Sequence, residues 1–238
     1  MIRRRQLFAG LAVPFAHGLV ARAQERREPT AERRELPADG RKPTAARGDV
    51  TPSIAAPVSG RELLRRRYFP NVSLTTSGGR TIKFYDDLLK DKIVILNLVD
   101  ARCRDVCPTT TAHLKQVRTL LEAEVDHPIF IYSLTTRPEE DSPATLDDFA
   151  RAHGIDDPRW LFLTGNPAEV DLLRHKLGFA NPNPELDRAR SRPTDLLRYG
   201  NEPLAIWGTC QGSAEPAWIA QEVCFAIPPG FKRRARAP

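Results

Sequence analysis

Residues 92–99 (KIVILNLV) constrain the fold of this chain more than any other stretch. A run so dense in β-branched residues and leucine, broken only by Asn97, reads as a strand buried on both faces. Such a strand belongs inside a sheet that carries helices above and below. The neighbouring sequence keeps to that plan. Residues 72–75 and 81–84 alternate apolar and polar around Ser77-Gly78-Gly79, a hairpin signal. Residues 109–125 have helical periodicity, with Leu114, Val117, Leu120 and Leu121 as the apolar stripe. Residues 128–134 (PIFIYSL) read as the next buried strand and 144–153 as a helix stopped by Gly154. Residues 160–163 form a third short apolar run, followed over 167–177 by a helix that Gly178 ends. Alternating strand and helix predict an α/β domain with a central mixed, mostly parallel sheet flanked by helices. Beyond Gly178 the pattern weakens to a loop over 181–184, a strand over 196–199 and a helix over 216–223.

Both ends of the chain differ from this middle. Residues 1–23 have the three zones of a secretory signal: Arg3-Arg4-Arg5, an apolar run from Leu7 to about Val20, and Ala21-Arg22-Ala23 before Gln24. The run holds Pro14 and His17 and is shorter than the roughly 20 residues a membrane helix needs, so no transmembrane span is expected in the mature chain. Arg4-Arg5-Gln6-Leu7-Phe8 is also a twin-arginine pattern, and both export routes fit it. Export implies the bacterial periplasm, where cysteines serve as bridges or redox centres. Residues 24–60 mix acids, bases and five prolines with few apolar groups, the composition of a disordered linker. The expected domain is therefore 61–226, with a basic tail over 227–238. Net charge is +6, but residues 1–23 hold four arginines and no acid, so the remainder carries +2. No basic stripe interleaved with aromatics appears, which argues against nucleic acid as a partner.

The segment that carries chemistry is Cys103-Arg104-Asp105-Val106-Cys107-Pro108, directly after the strongest strand and before a long helix. Side chains at the carboxyl end of such a strand line the crevice where α/β proteins place their sites. The start of the following helix offers unpaired N–H groups and partial positive charge, which favours thiolate, as do the flanking Arg102 and Arg104. Thiols four residues apart share one face if the segment is helical, so both can meet each other or one soft ion. An inert structural bridge is the rival for any two close cysteines in an exported chain. Structural zinc is disfavoured, because it wants four ligands and no second Cys/His pair at finger spacing follows. Two thiolates suit Cu(I).

The sequence resembles the SCO/SenC family of periplasmic and mitochondrial copper proteins linked to cytochrome c oxidase assembly. The likeness runs through Tyr68-Phe69-Pro70-Asn71-Val72, Phe84-Tyr85-Asp86-Asp87-Leu88-Leu89 and the Cys103–Cys107 motif. It continues through Tyr132-Ser133-Leu134, Pro143, Leu161-Phe162-Leu163-Thr164-Gly165 and Arg198-Tyr199-Gly200-Asn201-Glu202. The resemblance implies a thioredoxin-like fold, copper bound by Cys103 and Cys107, and Cu(I) delivery to, or thiol reduction of, the oxidase's copper-centre subunit. Another periplasmic thiol protein is the alternative partner. Copper-independent thiol–disulfide exchange by the same two cysteines is the alternative function, and a degenerate interaction module with a structural bridge is a third.

Departures from the family pattern bear on that choice. The family's copper-binding histidine falls where this chain has Arg192-Pro193-Thr194, with Pro193 at the imidazole's place. None of the five histidines substitutes for it. His17 leaves with the signal, His113 points away from Cys107 at six residues of about 100° each, and His127, His153 and His175 belong to other elements. Asp100-Ala101 stands where the family usually has an aromatic and a threonine, and Arg137 replaces a usual acid. Losing the imidazole weakens Cu(II) most and leaves Cu(I) with two thiolates. Cys210 and Cys224 complete the cysteines; a bridge between them, adding about 3 kcal/mol, is the expected state, with Cys210 as a third soft ligand or resolving thiol as the other.

Overall fold

The computed structural model describes residues 58–104, 106–189 and 195–231. The expected signal segment, nearly all of the expected linker, Arg192-Pro193-Thr194 and residues 232–238 of the basic tail lie outside the described residues.

The element order is α1 (Gly60–Tyr68), β1 (Ser73–Thr76), β2 (Thr81–Lys83), a π-helical turn (Phe84–Leu89), β3 (Ile93–Val99), α2 (Val106–Glu124), β4 (Ile129–Thr135), α3 (Pro143–Ala152), β5 (Trp160–Gly165), α4 (Pro167–Lys176), α5 (Pro184–Ala189), β6 (Leu196–Asn201), β7 (Ile206–Gln211) and α6 (Pro216–Phe225), followed by a 3-10 turn (Pro229–Phe231). The strands form one sheet in the order β2-β1-β5-β4-β3-β6-β7. Its three central strands, β5, β4 and β3, are parallel, and the antiparallel strands β1 and β6 flank them. The sheet is thus mixed, with its parallel part confined to the centre.

β3 is buried at all seven positions, as a strand covered on both faces must be. Its side chains alternate between two cores. Ile93, Ile95 and Val99 join Leu114, Val117 and Leu121 of α2, Leu146 and Phe149 of α3, and Ile219 and Val223 of α6. Val94, Leu96 and Leu98 join Val170 and Leu173 of α4 and the residues of the π-helical turn. The one polar interruption, Asn97, accepts from the Ser133 hydroxyl at 2.8 Å, and Trp160 Nε1 donates to Ser133 at 3.0 Å, so the buried polar atoms are satisfied. Ala226 and Ile227 are also buried in the first core, so packing continues past the end of α6.

The hairpin of β6 and β7 closes by two reciprocal aromatic–glycine contacts. A Cβ on Gly200 would lie 2.2 Å from the Trp207 ring, and one on Gly208 would lie 2.4 Å from that of Tyr199. Both glycines are there because their partners' rings occupy that space. Local capping explains the helix starts: Ser142 Oγ accepts from Thr145 N at 3.2 Å before Pro143, and Asn166 Oδ1 accepts from Ala168 N at 2.9 Å before Pro167.

Candidate thiol site

β3 delivers the chain to Asp100 at the carboxyl end of the central strands. A tight turn follows, with Cys103 N donating to Asp100 O at 3.0 Å and Arg102 N to Asp100 Oδ1 at 2.9 Å. α2 then starts at Val106, so Cys107 and Pro108 sit in its first turn while Cys103 lies in the loop before it. The two sulfurs are therefore brought together across a loop–helix junction, rather than along one helical face. Cys107 N donates to Cys103 Sγ at 3.4 Å, so the first cysteine caps the helix that carries the second. Asp100 N in turn donates to Cys107 Sγ at 3.4 Å. Both cysteines are free thiols, Cys107 2% exposed and Cys103 half-buried at the mouth.

Burial pushes the Cys107 thiol far above its ordinary pKa; the Asp100 N–H opposes this and the adjacent Cys103 thiol adds to it. This runs against the expectation, at Cys107, that the helix start favours thiolate. At Cys107 desolvation wins, because the side chain points into the core. Of the flanking arginines, Arg102 is engaged by Glu140 and Arg104 is exposed.

A second loop supports the thiol turn. After β4, Thr136 N donates to Val99 O at 2.9 Å, and the β4–α3 loop then folds beside residues 100–102. Arg137 Nε donates to Asp100 Oδ2 at 2.9 Å. Asp141, wholly buried, accepts from Thr135 Oγ1 at 2.5 Å and from Ala101 N at 3.3 Å through one oxygen, while its other oxygen has no hydrogen-bond partner. Burial raises the Asp141 carboxyl, against the pull of the Thr135 and Ala101 donors. In the sequence Asp100 and Arg137 stand out only as departures from the family pattern, and nothing marks Asp141. The signal was present in the opposite charges of Asp100 and Arg137, but nothing local pairs residues 37 apart.

Other candidates lie elsewhere. Among the described residues, no three His, Cys, Asp or Glu side chains converge as a metal site. His113 bonds to Gly212 O at 3.0 Å, His153 to Phe149 O at 2.9 Å and His175 to Asp171 O at 2.8 Å, while His127 packs on the Phe231 ring. The expected Cys210–Cys224 bridge does not form. Cys210 is a free thiol in the core, pushed up to about 12 mainly by burial, and the Cys224 thiol donates to Glu124 Oε2 at 3.7 Å from α6. Each stays in its own packing position against the first core, and neither is a ligand in a cluster with the Cys103–Cys107 pair. Asp195, immediately before β6, accepts from Thr110 Oγ1 at 3.3 Å, about one helical turn beyond Cys107.

Comparison with known proteins bears directly on this arrangement. The family model described as SCO1/SenC matches residues 69–188. The SCO1 protein homolog of Bacillus subtilis (strain 168) is 33% identical over 78 residues, 32% of this chain and 39% of that one. The chain spans well under two thirds of the curated relatives it matches. Among solved structures, Arabidopsis thaliana ScoI with copper bound aligns with a TM-score of 0.54 at 14% identity, over 65% of this chain and 94% of that one. BsSco, described as a member of the Sco family of cytochrome c oxidase assembly proteins with a disulfide switch, aligns with a TM-score of 0.53 at 21% identity, over 65% and 90%. At these identities the structural matches speak for the fold, which is thioredoxin-like α/β.

Proposed function

Because the chain belongs to the SCO1/SenC family, we propose that it handles copper for cytochrome c oxidase assembly, holding Cu(I) between Cys103 and Cys107. The observation that carries this reading is the junction itself. One half-buried and one buried thiol meet at the carboxyl end of the central strands, joined by the 3.4 Å bond from Cys107 N to Cys103 Sγ. Thiolates are the ligands Cu(I) prefers, and two of them suffice for it where Cu(II) asks for nitrogen as well. Loading displaces the thiol protons, so the raised affinity of Cys107 for its proton sets a cost that the metal must overcome. Cys103, at the mouth, is the ligand a partner reaches first, and a thiol-rich acceptor such as the oxidase's copper-centre subunit takes the ion by ligand exchange. The charged and apolar zones of residues 1–23, the pattern of a secretory signal, support the bacterial periplasm as the compartment for this work. Among the described residues no helix is long and apolar enough to cross a membrane.

A second reading is favoured by one observation, the lack of a third ligand among the described residues. In it the pair is a dithiol. The Cys103 thiolate attacks a partner's disulfide, forming a mixed disulfide and releasing one partner thiolate. The Cys107 sulfur then attacks Cys103, its proton passing to solvent, and the second partner thiolate leaves. The partner ends reduced and Cys103–Cys107 oxidised.

An anaerobic Cu(I) titration of the reduced chain against a competing chelator separates the two. One tightly held ion, lost in both Cys103→Ser and Cys107→Ser, supports copper handling. Binding no stronger than in the serine variants overturns it and leaves the dithiol.

A further inference from the structure

We propose that Arg137 is a positioning residue for the thiol pair, acting through Asp100 to hold the turn that favours the dithiol over the disulfide. The inference rests on Cys103 and Cys107 being the working groups of the site.

Four contacts make a continuous path from one loop to the other. Arg137 Nε donates to Asp100 Oδ2 at 2.9 Å. The other carboxylate oxygen of Asp100 receives the Arg102 N–H at 2.9 Å, which fixes the turn. The Asp100 N–H points at Cys107 Sγ and the Cys107 N–H at Cys103 Sγ, each at 3.4 Å. Arg137 is itself held in place: its N–H donates to Thr135 Oγ1 at 2.9 Å and its Nη1 to Glu140 Oε1 at 3.3 Å. Glu140 also engages Arg102, and Asp141 grips the Ala101 N–H, so the β4–α3 loop holds three consecutive residues of the thiol turn.

The Asp100 side chain is only 10% exposed. Without Arg137 its buried carboxylate keeps one donor and loses the other, and a charge left short of partners turns toward water. That movement carries the backbone of residue 100 with it and withdraws the N–H from Cys107. The bond is made with both thiols free, and closing an S–S bond draws Cys107 Sγ toward Cys103 and away from this N–H, so the turn as held stabilises the reduced pair more than the oxidised one. Two sequence peculiarities, an acid at 100 and a base at 137, thus make one device at the edge of the site.

The test is the thiol–disulfide equilibrium of the full chain in glutathione redox buffers. Two thiols become one S–S bond as oxidised glutathione takes up the two electrons and two protons. Acid quenching, alkylation and digestion then give the fraction of Cys103 linked to Cys107. Arg137→Met shifts the equilibrium toward the disulfide by about fivefold, the weight of one such hydrogen bond. Arg137→Lys restores part of the shift. Asp100→Asn shifts it in the same sense, and adding Arg137→Met to Asp100→Asn changes nothing further. An equilibrium in Arg137→Met equal to the wild type, or an undiminished effect in the Asp100→Asn background, overturns the proposal while leaving the dithiol intact. A wild-type chain that forms no Cys103–Cys107 disulfide in any buffer overturns the proposal together with the dithiol reading, and leaves copper binding by the two thiols standing.

Discussion

The backbone N–H of Asp100 and the sulfur of Cys107 are joined at 3.4 Å across seven residues of chain. This bond closes the turn around Cys103, draws Cys107 inward and leaves Cys103 at the mouth. The family's two-cysteine motif is thereby split into an accessible thiol and a buried one.

That asymmetry predicts the order of alkylation. Iodoacetamide at neutral pH modifies Cys103 first, and Cys107, with its raised pKa and 2% exposure, reacts at least about tenfold more slowly. Peptide mapping over time measures both rates. Equal rates contradict the burial of Cys107.

Alkaline pH weakens the fold. Burial first, and bonds to Glu202 and Glu222 second, push Tyr85 and Tyr199 up to about 12, and burial lifts Cys210 to about 12. Unfolded, these groups release protons near their ordinary values of about 10 and 8.5. Between those values and 12 the folded chain holds more protons than the unfolded one, so stability falls as pH rises. It is fully present below about pH 8. Urea midpoints across the alkaline range show the decline, and Tyr199→Phe makes it shallower.

Acid works through Glu202. Burial alone would raise this carboxyl, but Arg61, the Tyr85 hydroxyl and the Asp91 N–H outweigh it and hold it below the usual carboxylate range. Its contribution is present above the ordinary carboxylate pKa and lost as pH falls through the lowered one. Glu202→Gln costs about 2–3 kcal/mol at neutral pH, because it strips charge from bonds that tie α1 and the π-helical turn to the sheet. Chemical denaturation of the variant at neutral and acid pH checks both the loss and its disappearance in acid.

Restoring the family's histidine restores the ligand that Cu(II) asks for. Pro193→His raises Cu(II) affinity by about tenfold or more, equivalent to about 1.4 kcal/mol, with a smaller gain for Cu(I). Asp195, two residues on in sequence, is held to α2 by Thr110 at 3.3 Å and accepts from Gly212 N at 3.0 Å. Competition titrations with each oxidation state measure the two gains.

Much of the fold was legible because local pattern and tertiary placement agree. Residues 92–99 announced β3 by their composition, and Ser77-Gly78-Gly79 announced the first hairpin. What escaped was set by distant partners. α1 is a charged helix of low apolar content, and it is tied down by Arg61 reaching Glu202, 141 residues away. β7 is an edge strand with Gly208 at its centre, made intelligible only by the Tyr199 ring that covers that glycine. At the site, the thiol pair was legible as a motif at a strand–helix turn. The general expectation that the helix start favours thiolate does not hold at Cys107, because no local signal reports how deeply a side chain in a helix's first turn is buried. The Cys210–Cys224 bridge failed because both residues were read as a pair, while β7 and α6 hold each in a separate packing position.

The most direct measurement is copper X-ray absorption on the reduced chain loaded with one equivalent of Cu(I). Two sulfur scatterers and no imidazole nitrogen, with the signal lost in Cys103→Ser and in Cys107→Ser, is the expected result. Fewer than two sulfur scatterers, or the same copper environment in either serine variant, contradicts binding by the Cys103–Cys107 pair.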